Sequence, residues 1–407
     1  MKLASLIAPF RNATIGSALI FAASGAAFAL ANILLARGLE VEAYARFALA
    51  IAVYNVAALV APLGMDQLSV RRTLAYTPKI ALTQFALSII VGLAFSFAAS
   101  AYVAMSAPAT ISLAAAIAAA GVLVGAVAEL RRQGMTFLAL VIYVLPNLGL
   151  LMIALAAQFA RDMTLAGVLW LYTAGVVLSA GIALARIVRG EGFATGPSGY
   201  RFAEALPLLG LATLGTLTLQ MERLVLPALI DLKSLAIFAL LSSLAIFPFR
   251  LISSGMGFAL TPQLSDRENL AGNYARLRLE LVALGGLMLA GAGVLVILVP
   301  YLMPWLTDGR YEASHWLVLA ACFSGVIQIG NALARAIVTA LGTVGQLHML
   351  NVAGWCALAL ALAAAWAMAG YGLLGVILGA AAAQSLIAIP VLVMAWRTFA
   401  REARAKA

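Results

Sequence analysis

Runs of twenty or more apolar residues alternate with short polar connections along this chain, and that alternation is its dominant pattern. A hydrocarbon layer about 30 Å thick takes about 20 helical residues to cross. Twelve runs approach or exceed that length: 13–35, 47–65, 80–103, 109–128, 135–159, 164–186, 205–230, 234–260, 280–303, 314–337, 345–368 and 371–396. Lipid cannot hydrogen-bond peptide groups, so each run predicts a helix that pairs its own backbone. The longest polar stretches are 186–202 and 261–278, and the first divides the runs into two sets of six. The expected organisation is an N-terminal six-helix lobe (1–190), an inter-lobe loop (191–202), a C-terminal six-helix lobe (203–396) and a basic tail (397–407). The fold class expected is thus all-α integral membrane, with about twelve transmembrane helices and no soluble domain.

Composition narrows the function classes. The 407 residues are 65% hydrophobic and only 10% charged, with a mean hydropathy of +1.07. A soluble domain of this size could not cover its surface with so few polar groups. The net charge of +10 does not indicate nucleic acid, because no basic block stands out and the cationic residues fall between spans. Their distribution has an orientation instead. With the N-terminus in the cytoplasm, eighteen Lys and Arg fall on the cytoplasmic side and five (Arg37, Arg46, Arg161, Lys233, Arg310) on the other. The positive-inside bias therefore predicts that both termini are cytoplasmic. Lys2 and Arg11 followed by an apolar run resemble a signal peptide. The run is too long for a signal h-region of about 7–15 residues, which predicts an uncleaved first helix.

The polar residues offer no catalytic constellation. Cys322 and Cys356 are far apart in apolar runs, and His315 and His348 have no partners at ligand spacing, so neither a metal site nor a thiol nucleophile is expected. No phosphate-cradling Gly-rich Lys loop is present. The expectation is a non-enzyme without cofactors.

A faint direct repeat accompanies the two sets of helices. Leu39-Glu40-Val41 … Phe47-Ala48-Leu49 aligns with Ile230-Asp231-Leu232 … Phe238-Ala239-Leu240 at a constant offset of 191 residues, after the first span of each half. Copies after spans of equal orientation imply a parallel pseudo-two-fold repeat, a transporter feature that places substrate between the halves.

Two arginines break the rule that charges sit between spans: Arg223 and Arg250 lie within apolar runs. An ionised side chain at bilayer depth costs about 2.5–3.5 kcal/mol on insertion scales, and such residues face water, a partner or a substrate. Thr213, Thr216, Gln220 and Arg223 share one helix face in span 7. Ser243, Phe247, Arg250 and Ser254 share one in span 8, and Ser324, Gln328, Asn331 and Arg335 one in span 10. Three polar stripes in the second half predict a hydrated, cationic central cavity. Pro248 is expected to kink span 8 beside Arg250. Glu222 leaves Arg223 with two open roles, a substrate contact or one half of an internal ion pair. Ser17, Ser24, Thr213, Ser243 and Ser324 are more often helix-to-helix glue than ligands. Arg71, Arg72, Arg131 and Arg132 are expected as cytoplasmic anchors, near anionic lipid headgroups.

The chain resembles the polysaccharide-transporter branch (Wzx-type flippases) of the multidrug/oligosaccharidyl-lipid/polysaccharide exporter superfamily. The resemblance lies in Leu34-Leu-Ala-Arg37-Gly-Leu39 with Tyr44-Ala-Arg-Phe47, Ala61-Pro-Leu-Gly64-Met-Asp66 ahead of Arg71-Arg72, and Glu222-Arg223. It continues in Ala259-Leu-Thr-Pro262-Gln-Leu-Ser265, Gly309-Arg-Tyr311-Glu-Ala313 and Gly370-Tyr-Gly372-Leu-Leu-Gly375. Ala43-Tyr44-Ala45 replaces the usual Phe-Gly pair, and Glu222 stands where Asp is common. The resemblance implies flipping of a polyprenyl-pyrophosphate-linked oligosaccharide (an O-antigen, capsule or exopolysaccharide unit) across the bacterial inner membrane by alternating access. Membrane lipids and polysaccharide polymerase or export proteins are its expected partners. Arginine chemistry suits a pyrophosphate, so Arg250 and Arg223 are expected as pyrophosphate or sugar-acid contacts. Gln220, Gln328 and Asn331 are expected as hydrogen bonders to sugar, and Glu222 as an ion-coupling or ion-pair carboxylate. The competing expectations are a cation-coupled drug antiporter of the same superfamily and a non-transporting partner of a polysaccharide synthase.

Overall fold

The computed structural model describes residues 13–70, 74, 76–159, 163–190, 192–194, 199–252 and 270–404. Sequence features at Lys2, Arg11, Arg71, Arg72, Arg161, Ser254, 259–265, Arg267 and Lys406 lie outside the described residues, as do the side chains of Ser17 and Arg276. Every regular element among the described residues is helical. The helices are α1 (Ala13–Gly38), α2 (Val41–Val60), α3 (Met65–Val70), α4 (Pro78–Val103), α5 (Ala107–Arg132), α6 (Thr136–Ala157) and α7 (Leu165–Arg189). They continue as α8 (Phe202–Leu229), α9 (Leu232–Leu241, extended through a π-helical turn to Ile252), α10 (Leu270–Leu306), α11 (His315–Leu341), α12 (Val344–Ala367) and α13 (Gly372–Arg404). All but the short α3 have the length and hydropathy of membrane spans, twelve in all. The protein is a multi-pass membrane protein.

Local chemistry sets the helix starts. The side chains of Thr77, Thr164, Asp231, Ser314 and Thr343 each accept a hydrogen bond from a first-turn backbone N–H, satisfying donors that no carbonyl reaches. Thr343 and Gln346 form a reciprocal capping box. The repeat seen in the sequence falls on equivalent positions, because Glu40 and Asp231 are the N-cap residues of α2 and α9. The second span begins at Val41 rather than at the expected 47. Its charged first turn is helical because Arg46 pairs with Glu42 at 3.0 Å and donates through Nε to the Val103 carbonyl at 3.0 Å.

Two compact units make up the chain, Met1–Pro227 and Ala228–Ala407. In the first, α5 packs along α4 and α7, and α1 along α6. Gly121 and Gly125 let α4 approach α5 closely: a Cβ at either would overlap Ser88 or the Gln84 amide. The space so freed admits a buried network in which Gln84 Nε2 donates to the Gly121 carbonyl (2.7 Å) and Tyr76 Oη to Gln84 Oε1 (3.2 Å). α8 is tied to this unit at both ends. Tyr102 Oη donates to the Leu224 carbonyl. Gly64, in a left-handed turn with φ +76°, abuts Ala205, while Tyr200 Oη donates to the Leu63 carbonyl. In the second unit α13 packs along α11 and α12, with Ile327, Ala381 and Ala388 buried together.

The α4–α5 contact generates a prediction. Gly125→Val forces a branched side chain into the Gln84 amide and should cost about 1–3 kcal/mol, lowering the thermal unfolding midpoint of the purified protein in detergent. Gly175→Ala, at a helical glycine with open space around it, should not lower that midpoint.

Candidate functional site

The second unit builds its polar face around a break in α9. Residues Ser242–Ile246 form a π-helical turn in which the Phe247 N–H reaches back to the Ser242 carbonyl. The cause follows in sequence: a proline ring inside a helix collides with the carbonyl four residues earlier, and a widened turn ahead of Pro248 relieves that crowding. Beyond it, Phe249 is buried, packed where a Cβ on Gly325 of α11 would lie 2.7 Å from its ring. Half-buried Arg250 donates through Nε to Gln328 Oε1 of α11 at 3.3 Å. Two residues expected to contact substrate, from spans eight and ten, are thus brought together. Asn331 sits about one turn further along α11 and is half-buried. The same stripe begins at buried Ser324 and ends at exposed Arg335.

Gln220, Glu222 and Arg223 belong to α8 in the first unit and are buried. Glu222 and Arg223 are each 2% exposed, and the Arg223 guanidinium lies within electrostatic range of Tyr44 and Glu222. Gln220 and Thr216 line a cavity of about 270 Å³ within this unit. Its other polar walls are Tyr54 and Asn55 of α2, Tyr143 and Asn147 of α6, and Tyr172 of α7. Tyr54 and Tyr172 meet edge to face with ring centroids 5.3 Å apart. Asn147 Nδ2 donates to Ser24 Oγ of α1 at 2.9 Å, so Ser24 acts as interhelical glue. Ser243 instead bonds within its own helix, to the Ala239 carbonyl. Gln220 is 7% exposed, and its Oε1 has no hydrogen-bond partner, an arrangement that costs about 1–3 kcal/mol if left unmet. Sequence reasoning singled out Gln220 but passed over Tyr54, Asn55 and Tyr172. The adjacent Tyr54-Asn55 pair in an otherwise apolar α2 was the available signal.

Two carboxylates gather where α3 packs against α5. Glu129 is fully buried and accepts two bonds from Arg132, at 2.7 and 2.6 Å, and one from Gln133 at 2.9 Å. Arg132, expected as a cytoplasmic anchor, is bonded to a protein carboxylate. Asp66, 6% exposed, accepts from Gln67 at 2.7 Å. Burial pushes its pKa above the ordinary 3.8, opposed by hydrogen bonds from Gln67 and by the charge of Arg131. The glycines of the sequence motifs serve turns: Gly309 and Gly372 have φ of +77° and +67°, values that favour glycine. Among the described residues no three His, Cys, Asp or Glu converge to hold a metal.

Twelve spans in this arrangement define a class of fold. The chain matches the inward-facing structure of a multidrug resistance MATE-family transporter of the MOP superfamily at a TM-score of 0.68 and 16% identity, covering 94% of this chain and 96% of that one. It matches the lipid II flippase MurJ, in an inward closed conformation, at 0.67 and 14%, covering 96% and 90%. A MOP-superfamily transporter from Pyrococcus furiosus matches at 0.60 and 14%, covering 95% and 96%. No family model matches the sequence, and no curated protein matches it. The fold is that of the MOP-superfamily transporters, over nearly the whole chain.

Asp66 offers a test of its burial. Its folded-state pKa is raised, so the folded protein binds more protons than the unfolded chain through the titration. The contribution of Asp66 to stability is therefore most favourable below 3.8 and declines as pH rises through the folded value. Asp66→Asn removes that decline. The variant should unfold at a higher temperature than the parent at pH 8, and the gap should close as the pH approaches 4, followed by thermal scans in detergent.

Proposed function

We propose that this protein flips a polyprenyl-pyrophosphate-linked oligosaccharide from the cytoplasmic to the outer leaflet of the bacterial inner membrane by alternating access, with both termini cytoplasmic. The observation that carries the reading is the Arg250–Gln328 hydrogen bond between two membrane helices. A guanidinium within a span is retained at a cost, and the bond through Nε fixes the plane of a group whose fork matches the oxygens of a phosphate. Arg250 is the pyrophosphate contact, with Gln328 orienting it. Asn331 and Gln220 offer amides to sugar hydroxyls, and Arg223 with Glu222 forms a second charged position. The fold match to a lipid II flippase supports a lipid-linked cargo. Polysaccharide polymerase or export proteins are the proposed partners, and the loop at 191–202 the proposed division between lobes.

A second reading, a cation-coupled small-molecule antiporter, draws on the match to a multidrug resistance transporter and on the buried carboxylates Glu222 and Asp66.

Proteoliposomes separate the two. With a fluorescent polyprenyl-pyrophosphate glycan, the parent should flip the probe and Arg250→Ala should do so about tenfold or more slowly, the equivalent of one charge-assisted hydrogen bond. Arg250→Lys should fall between, keeping the charge without the fork. Flipping at the parental rate by Arg250→Ala at equal protein content overturns the assignment. Drug-driven proton or sodium flux without lipid flipping establishes the antiporter instead.

A further inference from the structure

The cavity of the first unit differs in chemistry from the arginine-bearing face of the second. None of its described lining residues carries a charge, so it has nothing to neutralise a phosphate or a uronate. Its polar walls are three phenols (Tyr54, Tyr143, Tyr172), three amides (Asn55, Asn147, Gln220) and the Thr216 hydroxyl. Aromatic rings present flat apolar faces with a polar rim, and amides offer donors and acceptors in pairs. That combination fits a pyranose ring, whose C–H faces pack on aromatic surfaces while its hydroxyls bond to amides.

Size and unmet bonding narrow the occupant further. A volume of about 270 Å³ falls just below the ~300–1,000 Å³ of sites for drug-sized ligands, which leaves room for one ring. The Asn147 amide is oriented by its bond to Ser24. Gln220 Oε1, on a side chain 93% buried by its 7% exposure, is an acceptor with no donor. Buried acceptors are nearly always satisfied, so an occupant of the cavity toward which the Gln220 amide turns gains a bond that the empty site lacks.

We infer that the cavity bounded by Tyr54, Asn55, Tyr143, Asn147, Tyr172 and Gln220 is a subsite for one neutral hexopyranose of the cargo, separate from the anion contact at Arg250. The inference rests on the lipid-linked-glycan reading and adds to it the residues that recognise the sugar and the exclusion of charged sugars from this position. Gln220 accepts a hydroxyl, Asn55 and Asn147 bond to others, and the tyrosines flank the ring.

Binding of synthetic lipids to the full-length protein in nanodiscs tests this. Five probes are compared: polyprenyl pyrophosphate without sugar, and the same lipid bearing glucose, galactose, mannose or glucuronate. At least one neutral hexose should tighten binding about tenfold over the sugar-free lipid, and glucuronate should not. Gln220→Met, which keeps the length of the side chain without its amide, should abolish that gain and leave the affinity for the sugar-free lipid unchanged. Tyr143→Leu, at a residue 41% exposed and so tolerant of substitution, should do the same. Arg250→Ala should weaken all five lipids alike. If the sugar-free lipid binds but no neutral hexose adds affinity, or the gain survives in Gln220→Met and Tyr143→Leu, the subsite is wrong and the flippase reading stands. If no lipid binds the parent, both fall together.

Discussion

Hydrocarbon offers a peptide group no hydrogen-bond partner, and the architecture of this protein follows from that constraint. Each span pairs its own backbone, and in five of them the first turn is met by a side chain, at Thr77, Thr164, Asp231, Ser314 and Thr343, where the chain enters the helix. The same constraint makes departures from regular helix informative. The π-helical turn at Ser242–Ile246 keeps backbone pairing intact by a wider bond to the Ser242 carbonyl, and it does so where Pro248 would otherwise crowd the helix. Arg250 follows two residues later. The break in the helix and the charge are coupled in sequence, so the irregularity sets the direction from which the guanidinium approaches α11.

Polar side chains inside the spans obey the same rule, and they do so in two ways. Some are consumed by the fold. Gln84 spans the gap that Gly121 and Gly125 leave between α4 and α5, Ser112 and Thr173 join α5 to α7 at 3.0 Å, and Ser24 receives Asn147. Such contacts stabilise helix pairs where apolar burial cannot, because lipid is as apolar as the protein core. Others line a cavity or meet a neighbouring guanidinium instead. Gln220 belongs to this second kind, and Gln328 holds Arg250.

The two intramembrane arginines differ in burial and in surroundings. Arg223 is 2% exposed beside an equally buried Glu222, with Tyr44 also within electrostatic range. Arg250 is half-buried, with an uncharged amide on its Nε. The tyrosine-lined cavity of the first unit, with no charged residue among its described lining, is a third polar environment within the spans.

The spans, and with them the all-helical membrane class, were legible in the sequence because bilayer thickness fixes a minimum length of apolar helix that composition alone reveals. So were the arginines, since a charge in an apolar run needs no structure to be conspicuous. The early start of α2 at Val41 was not: Glu42 and Arg46 look like loop residues until Val103 is seen to accept from Arg46. Nor was the pairing of Arg250 with Gln328, seventy-eight residues apart, or the gathering of Tyr54, Tyr143 and Tyr172 from three helices around one cavity. Helical periodicity tells which residues share a face of one helix. Which helix that face meets is decided by side-chain volume and close packing across the interface, where a missing Cβ at Gly121, Gly125 or Gly325 admits a neighbour that no local pattern announces.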